Sequence, residues 1–117
     1  MTPLRDLHDL DAALVRAESE PIVLFKHSPT CGISAQASED IAEMLERATF
    51  PLPLYVVSVR AQRDVSEAIT RRFGIRHESP QVLLLHRGAV LWHASHFRVS
   101  AAEIESAVER FIAPAAP

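Results

Sequence analysis

The chain has 117 residues, a hydrophobic fraction of 48% and a formal net charge of −3, which together indicate one globular domain. It contains no basic run and no apolar run of the roughly 20 residues that a membrane span requires, so nucleic acid and membranes are disfavoured as partners. The N-terminal residues lack the basic start and apolar core of a signal peptide, and we therefore expect a cytoplasmic protein.

The predicted elements of the first half alternate between helices and strands. Leucines at helical spacing predict an amphipathic helix over residues 3–18, which Pro21 ends. The apolar run 22–25 contains β-branched residues and predicts a strand buried on both faces. A helical period follows from 33 to about 49, and residues 54–59 predict a second buried strand.

The second half continues with a helix, a hairpin and a last helix. Apolar residues at helical spacing predict a helix over 65–73, and Gly74 is well placed to end it in a left-handed conformation. Residues 82–86 and 89–93 predict two strands joined by a tight turn. Ser100 begins a capping box that opens the final helix.

This order of elements predicts the fold. The first two strands are joined by a helix and should be parallel with a right-handed crossover, whereas the last two are joined by a turn and must be antiparallel. A mixed four-stranded central sheet with helices on both faces would bury every strand. This α/β arrangement is the thioredoxin-like fold with an extra N-terminal helix. We expect one such domain over 1–112 and a flexible C-terminal tail over 113–117.

Cys31 is the only cysteine and follows the first buried strand directly before a long helix. Free backbone N–H groups and the positive end of the helix dipole favour the thiolate, which is the nucleophilic form of cysteine. Residues 27–38 contain no carboxylate that would oppose ionisation. A single cysteine forms no internal disulfide, so any disulfide must join Cys31 to a second molecule. The alternative of an inert core cysteine is disfavoured because the neighbouring residues are loop formers, namely Ser28, Pro29, Thr30 and Gly32.

Ser34 occupies the position at which a dithiol oxidoreductase carries its second cysteine. Cys31-Gly32-Ile33-Ser34 is therefore a monothiol motif, because a hydroxyl can hydrogen-bond the sulfur but cannot displace a mixed disulfide from it. The alternative, that Ser34 is a polar residue of the first helical turn, is compatible with this interpretation. We expect the residues around the cysteine to contact a substrate, specifically Thr30, Gly32 and Ile33.

Ser79-Pro80 lies directly before the third strand. Thioredoxin-fold proteins carry a cis-proline there, packed beside the active cysteine, and cis X–Pro bonds are otherwise a minority. We therefore predict a cis peptide bond at Pro80, with the backbone of Ser79 open to pair with an extended substrate. The alternative is an ordinary trans-proline that opens a strand.

His27 ends the first strand, and His77 lies three residues before Pro80. Either imidazole could supply a positive charge or a proton for a leaving thiolate, and the alternative for both is a surface histidine without a role. The spacing of the other histidines is not typical of metal ligands, so we expect no metal site. These histidines are His8, His86, His93 and His96.

Two segments resemble the monothiol bacilliredoxin family of the YtxJ type. They are Phe-Lys-His-Ser-Pro-Thr-Cys-Gly-Ile-Ser at 25–34 and Gly-Ile-Arg-His-Glu-Ser-Pro-Gln at 74–81, and the similarity covers nearly the whole chain. The usual signature of that family is Thr-Cys-Pro-Ile-Ser followed by His-x-Ser-Pro-Gln. The second motif is matched, whereas Gly32 replaces the proline of the first and matches the Cys-Gly-x-Ser of monothiol glutaredoxins.

The resemblance implies a monothiol thiol–disulfide oxidoreductase that removes bacillithiol, or another low-molecular-weight thiol, from mixed disulfides of client proteins. It implies Cys31 as the nucleophile, Pro80 as the cis-proline and Ser34 in the resolving position. The small thiol would be a co-substrate, no tightly bound cofactor is expected, and the chain would be a monomer or a weak dimer.

Two other functions stay open at this point. Monothiol glutaredoxins with Cys-Gly-x-Ser bridge a [2Fe–2S] cluster between two protomers, and Gly32 fits that motif, although the glutathione-binding segment of those proteins is not evident after Pro80. The second is a non-enzymatic thioredoxin-fold adaptor that binds partners through an exposed apolar patch of Ile33, Trp92 and Phe97.

Overall fold

A computed structural model describes residues 1–112; the predicted tail at 113–117 lies outside the described residues. The described part contains five strands, four α-helices and one 3₁₀ helix. In chain order these are β1 (Thr2–Pro3), α1 (Leu7–Ser19), β2 (Ile22–His27), α2 (Gly32–Glu46), β3 (Leu54–Ser58), α3 (Arg63–Phe73), β4 (Gln81–His86), β5 (Ala89–Ser95), the 3₁₀ helix His96–Arg98 and α4 (Ala101–Phe111). None of the described helices is both long and apolar enough to span a membrane.

The strands form one mixed sheet in the order β1-β3-β2-β4-β5. As predicted, β2 and β3 are parallel, and β4 is antiparallel to β5; β4 is also antiparallel to β2. The turn between β4 and β5 places Arg87 at φ 52° and Gly88 at φ 76°, the left-handed pair of a tight hairpin. Gly74 ends α3 at φ 68°, which confirms the predicted left-handed cap.

The prediction of four strands was wrong by one strand at the N-terminus. Thr2 and Pro3 pair with β3 in parallel, and the N–H of Leu4 donates to the carbonyl of Val56 at 2.8 Å. The helix predicted from residue 3 begins at Leu7, because the carboxylate of Asp6 accepts the N–H of Asp9 at 2.8 Å and caps it there. A strand of two residues is too short to show an alternating pattern. The leucine pattern of the helix therefore led to a predicted helix that began too early, at residue 3.

The central strand β2 divides the core into two layers. Val23 and Phe25 pack with α2 and α4 on one face of the sheet, whereas Ile22 and Leu24 pack with α1 and α3 on the other. Because side chains alternate along a strand, the last two residues of β2 also lie on opposite faces. Lys26 faces α3 and His27 faces α2, and this alternation positions the two polar groups of the site.

Candidate active site

Cys31 is the N-cap of α2, at the edge of the sheet where β2 ends. Its backbone is extended at φ −105° and ψ 123°, and its carbonyl accepts the first helical hydrogen bond, from Ala35 at 3.0 Å. The residue is partly exposed, its thiol is free, and the first turn of α2 contains no acidic residue. Cys31 is therefore a partly exposed residue at the positive end of the α2 dipole, and among the described residues its side chain caps no first-turn N–H group.

Ser34 is fully buried and fixes the loop that carries the cysteine. Its Oγ accepts the N–H of Ser28 at 2.9 Å and lies 2.9 Å from Nδ1 of His27. These contacts occupy the hydroxyl, and within residues 1–112 it forms no hydrogen bond with the Cys31 sulfur. Ser34 thus acts structurally in this arrangement, joining α2 to the end of β2 and to the loop before Cys31.

The Ser79–Pro80 peptide bond is cis, as predicted from the sequence. The antiparallel register that pairs Lys26 with Gln81 places Pro80 across from His27, at the end of β2 that leads into Cys31. Pro80 is buried, and its carbonyl accepts the N–H of His96 at 2.8 Å. The Ser79 hydroxyl is buried without a hydrogen-bond partner among the described residues.

The surface beside Cys31 differs from the patch expected for an adaptor. Thr30 and Gly32 are exposed, and Ile33 lines a groove of about 230 Å³ together with Phe97, which is 81% exposed. The prediction that Trp92 is exposed was wrong: it is 8% exposed, because its face of β5 packs in the core against α2 and α4. The apolar surface near the cysteine is therefore smaller than the sequence indicated.

Lys26 is a buried charged residue beside the site that the sequence interpretation missed. It is the only lysine in the chain and is 0% exposed. Its Nζ donates to Oγ1 of Thr70 at 2.9 Å and lies 3.3 Å from Nδ1 of His77, and burial lowers its pKa from 10.5 to about 8. The signal available in the sequence was a lone lysine inside an otherwise apolar strand.

His77 cannot share a positive charge with Lys26. Since the ammonium is a donor only, Nδ1 of His77 must accept, which leaves the ring proton on Nε2. Desolvation and the Lys26 charge lower the pKa of His77, against smaller opposing effects of Glu67 and Glu78. The imidazole is therefore neutral near pH 7, and Lys26 supplies the buried positive charge on this side of the sheet. His27 lies on the opposite face, so the structure does not bring the two histidines together.

Within residues 1–112 no group of three or more His, Cys, Asp or Glu side chains is arranged to hold a metal ion.

Comparison with known proteins agrees with this geometry. Residues 2–104 match the family described as Monothiol bacilliredoxin BrxC. A solved thioredoxin-fold structure described as an oxidoreductase is 27% identical at a TM-score of 0.79, covering 92% of this chain and 93% of that one. The thioredoxin of Fasciola hepatica is 13% identical at a TM-score of 0.76 over 95% and 99% of the two chains. The thioredoxin of Schistosoma mansoni is 19% identical at 0.74 over 95% and 97%, so these two show the shared fold.

Replacing Gly32 by proline should stabilise the protein by about 1 kcal/mol. Gly32 is the first residue of α2, a side chain there meets nothing within 4 Å, and the extended backbone of Cys31 suits a residue before proline. Proline at this position restricts the unfolded chain and removes an N–H that has no helical acceptor. Urea unfolding followed by Trp92 fluorescence would measure the gain.

Gly88→Ala is the matched control and should destabilise the protein, because Gly88 lies at φ +76°. A loss of stability in Gly32→Pro would contradict the assigned backbone.

The buried lysine predicts a characteristic dependence of stability on pH. Between the folded pKa of about 8 and the unfolded value of 10.5, the unfolded chain binds more protons, so the free energy of unfolding should rise with pH. The rise is at most about 3 kcal/mol, and Lys26→Met should lack it while being the more stable protein near pH 7. Urea unfolding at pH 7.5 and pH 10 would measure both. Parallel pH profiles of the two proteins would show that Lys26 is not desolvated as described.

Proposed function

This chain belongs to the monothiol bacilliredoxin family, and we propose that it removes a low-molecular-weight thiol, bacillithiol by preference, from mixed disulfides of client proteins. The observation that supports this most is the combination of a lone, partly exposed Cys31 at a helix N-terminus with a buried, hydrogen-bonded serine in the resolving position. The chain is thus a thiol oxidoreductase with one thiol and no internal means of resolving a mixed disulfide.

The proposed reaction has two exchange steps. In the first, the Cys31 thiolate attacks the small-thiol sulfur of the mixed disulfide; the client sulfur leaves as a thiolate, and a new disulfide joins Cys31 to the small thiol. In the second, another small-thiol thiolate attacks that disulfide, which releases the symmetrical small-thiol disulfide and regenerates the Cys31 thiolate. Each step exchanges one S–S bond for another, and the electrons come from the second small thiol.

We assign the other residues supporting roles in this scheme. Cys31 attacks from the N-terminal end of α2, where the helix dipole is positive, and the backbone of Ser79 before Pro80 pairs with the extended client. Thr30, Gly32 and Ile33 border the approach to the sulfur. His27, held by Ser34 on the same face of the sheet as α2, is the better placed of the two histidines to give a proton to the leaving client thiolate, because His77 lies on the opposite face with Lys26 and α3.

The test uses a reference protein with one thiol, labelled in turn with bacillithiol, glutathione or cysteine. Release of the reference thiol by this chain, with bacillithiol present as the second thiol, should be fastest for the bacillithiol-labelled protein. Equal rates for all three labels would contradict the preference for bacillithiol. No release from any of them would contradict the reaction itself, and a coloured, cluster-bearing dimer after anaerobic purification would favour a [2Fe–2S] carrier instead.

A further inference from the structure

The Lys26 ammonium is buried without a carboxylate partner. Its Nζ contacts two uncharged groups, the Thr70 hydroxyl and the neutral His77 ring, and no ion pair of Lys26 forms within residues 1–112. A buried charge is costly unless an opposite charge or a full set of hydrogen bonds compensates it. The chain nevertheless places its only lysine here, at the end of β2.

A cavity of about 420 Å³ lies directly beyond the two groups that Lys26 contacts. Its lining includes Thr70 and His77, together with Arg63 and Arg71 of α3. Val59 also lines it, and the N–H of Val59 donates to the carbonyl of His27 at 2.9 Å. The cavity therefore opens at the sheet edge where β2 and β3 end, the edge from which the chain runs on to Cys31.

The charges around this cavity favour an anion. The cations are Lys26 behind the wall and Arg63 and Arg71 on it, and the one carboxylate of the lining is Glu67, which lies 3.0 Å from Arg63 and 4.0 Å from Arg71. Glu78 is outside the lining but its charge also acts on His77, so three positive charges face two negative ones and leave an excess of one, since His77 is neutral. His77 adds an N–H donor on the ring nitrogen that Lys26 does not occupy.

We propose that this cavity binds the carboxylate-bearing part of the small-thiol co-substrate while its sulfur reacts at Cys31. Arg71 and His77 donate to the carboxylate, and the buried Lys26 supplies the counter-charge through its contacts with Thr70 and His77. The volume suits a small organic acid but not a folded protein. This inference rests on the proposed function and adds to it a site that selects the small thiol by its charge.

The test compares bacillithiol with its carboxylates free and with the same carboxylates methylated, each as the label on the reference protein. The free acid should be released with a kcat/KM about tenfold higher than the ester, because charge-assisted hydrogen bonds to the carboxylate are lost in the ester. Arg71→Gln should remove most of that preference through KM. Arg72→Gln is the matched control, because Arg72 is the next residue of α3 but does not line the cavity; it lines only the groove with Leu7 and Leu14, which Arg71 also borders.

Lys26→Met provides a second, independent variant, since it removes the buried charge and leaves the surface arginines in place. It should also reduce the preference for the free acid, with its fold checked by Trp92 fluorescence. Equal rates for acid and ester in the parent protein, or equal effects of Arg71→Gln and Arg72→Gln, would overturn the inference while leaving the proposed reaction intact. Absence of release from both labels would instead contradict the proposed function.

Discussion

Cys31→Ser should abolish release of the client thiol, lowering the rate by at least about 10³-fold, while leaving the fold unchanged. The serine hydroxyl is not ionised near neutral pH and is a poor nucleophile toward a disulfide sulfur. Within the described part of the chain Cys31 forms only backbone hydrogen bonds, with Ser28 and Ala35, so its replacement removes no side-chain hydrogen bond that stabilises α2. The measurement is the rate of client-thiol release with a saturating second thiol.

The unfolding midpoint of Cys31→Ser is the control for this experiment, because a shift would indicate a damaged loop. A variant that keeps full biological activity in its host without a thiol at this position would contradict the redox function. It would favour the adaptor alternative, in which the fold serves only to bind partners.

After the first exchange step the parent protein retains the small thiol on Cys31, whereas Ser34→Cys should release it. A second thiol three residues after Cys31 recreates the spacing of dithiol oxidoreductases, and it can attack the disulfide between Cys31 and the small thiol. The small thiol should then leave without a second external thiol, and a disulfide between positions 31 and 34 should remain. Loss of the hydrogen bonds of Ser34 to Ser28 and His27 should lower the free energy of unfolding by about 1–3 kcal/mol.

Ser34→Ala separates these two effects. It loses the same hydrogen bonds but has no second thiol, so its stability should fall while the small thiol stays on Cys31 as in the parent protein. Mass spectrometry of the non-reduced proteins after reaction distinguishes the outcomes. If Ser34→Cys retained the adduct as Ser34→Ala does, position 34 would not be within reach of the Cys31 sulfur.

The order and pairing of the main elements could be predicted because each depends on local patterns. The β-branched run of β2, the left-handed Gly74 and the capping serine before α4 each carry their own signal. The strand β1 could not be predicted, because two residues carry no period and their pairing with β3 is a tertiary contact. Val15 shows the same limit: it is an apolar residue of α1 but is 71% exposed, because it lies on the solvent face of the helix, opposite the buried Ala13 and Ala17.

Site residues could be predicted where they belong to a short sequence motif. They could not be predicted where their neighbours depend on which face of the sheet a strand residue occupies. Cys31 and the cis bond at Pro80 follow from residues adjacent in sequence. The separation of His27 from His77 follows from the alternation of β2 and the packing of α3, which bring Lys26 to His77 across 51 residues. The sequence therefore indicated two candidate histidines, whereas the structure divides them between two environments.

The mass of the intact protein after one turnover without added thiol tests the central claim most directly. After reaction with a client labelled by bacillithiol, we expect the mass of one bacillithiol on Cys31 and an equal amount of free client thiol in solution. A covalent complex between Cys31 and the client would show that Cys31 attacks the client sulfur of the disulfide and not the small-thiol sulfur. An unmodified Cys31 beside an intact labelled client would contradict the account.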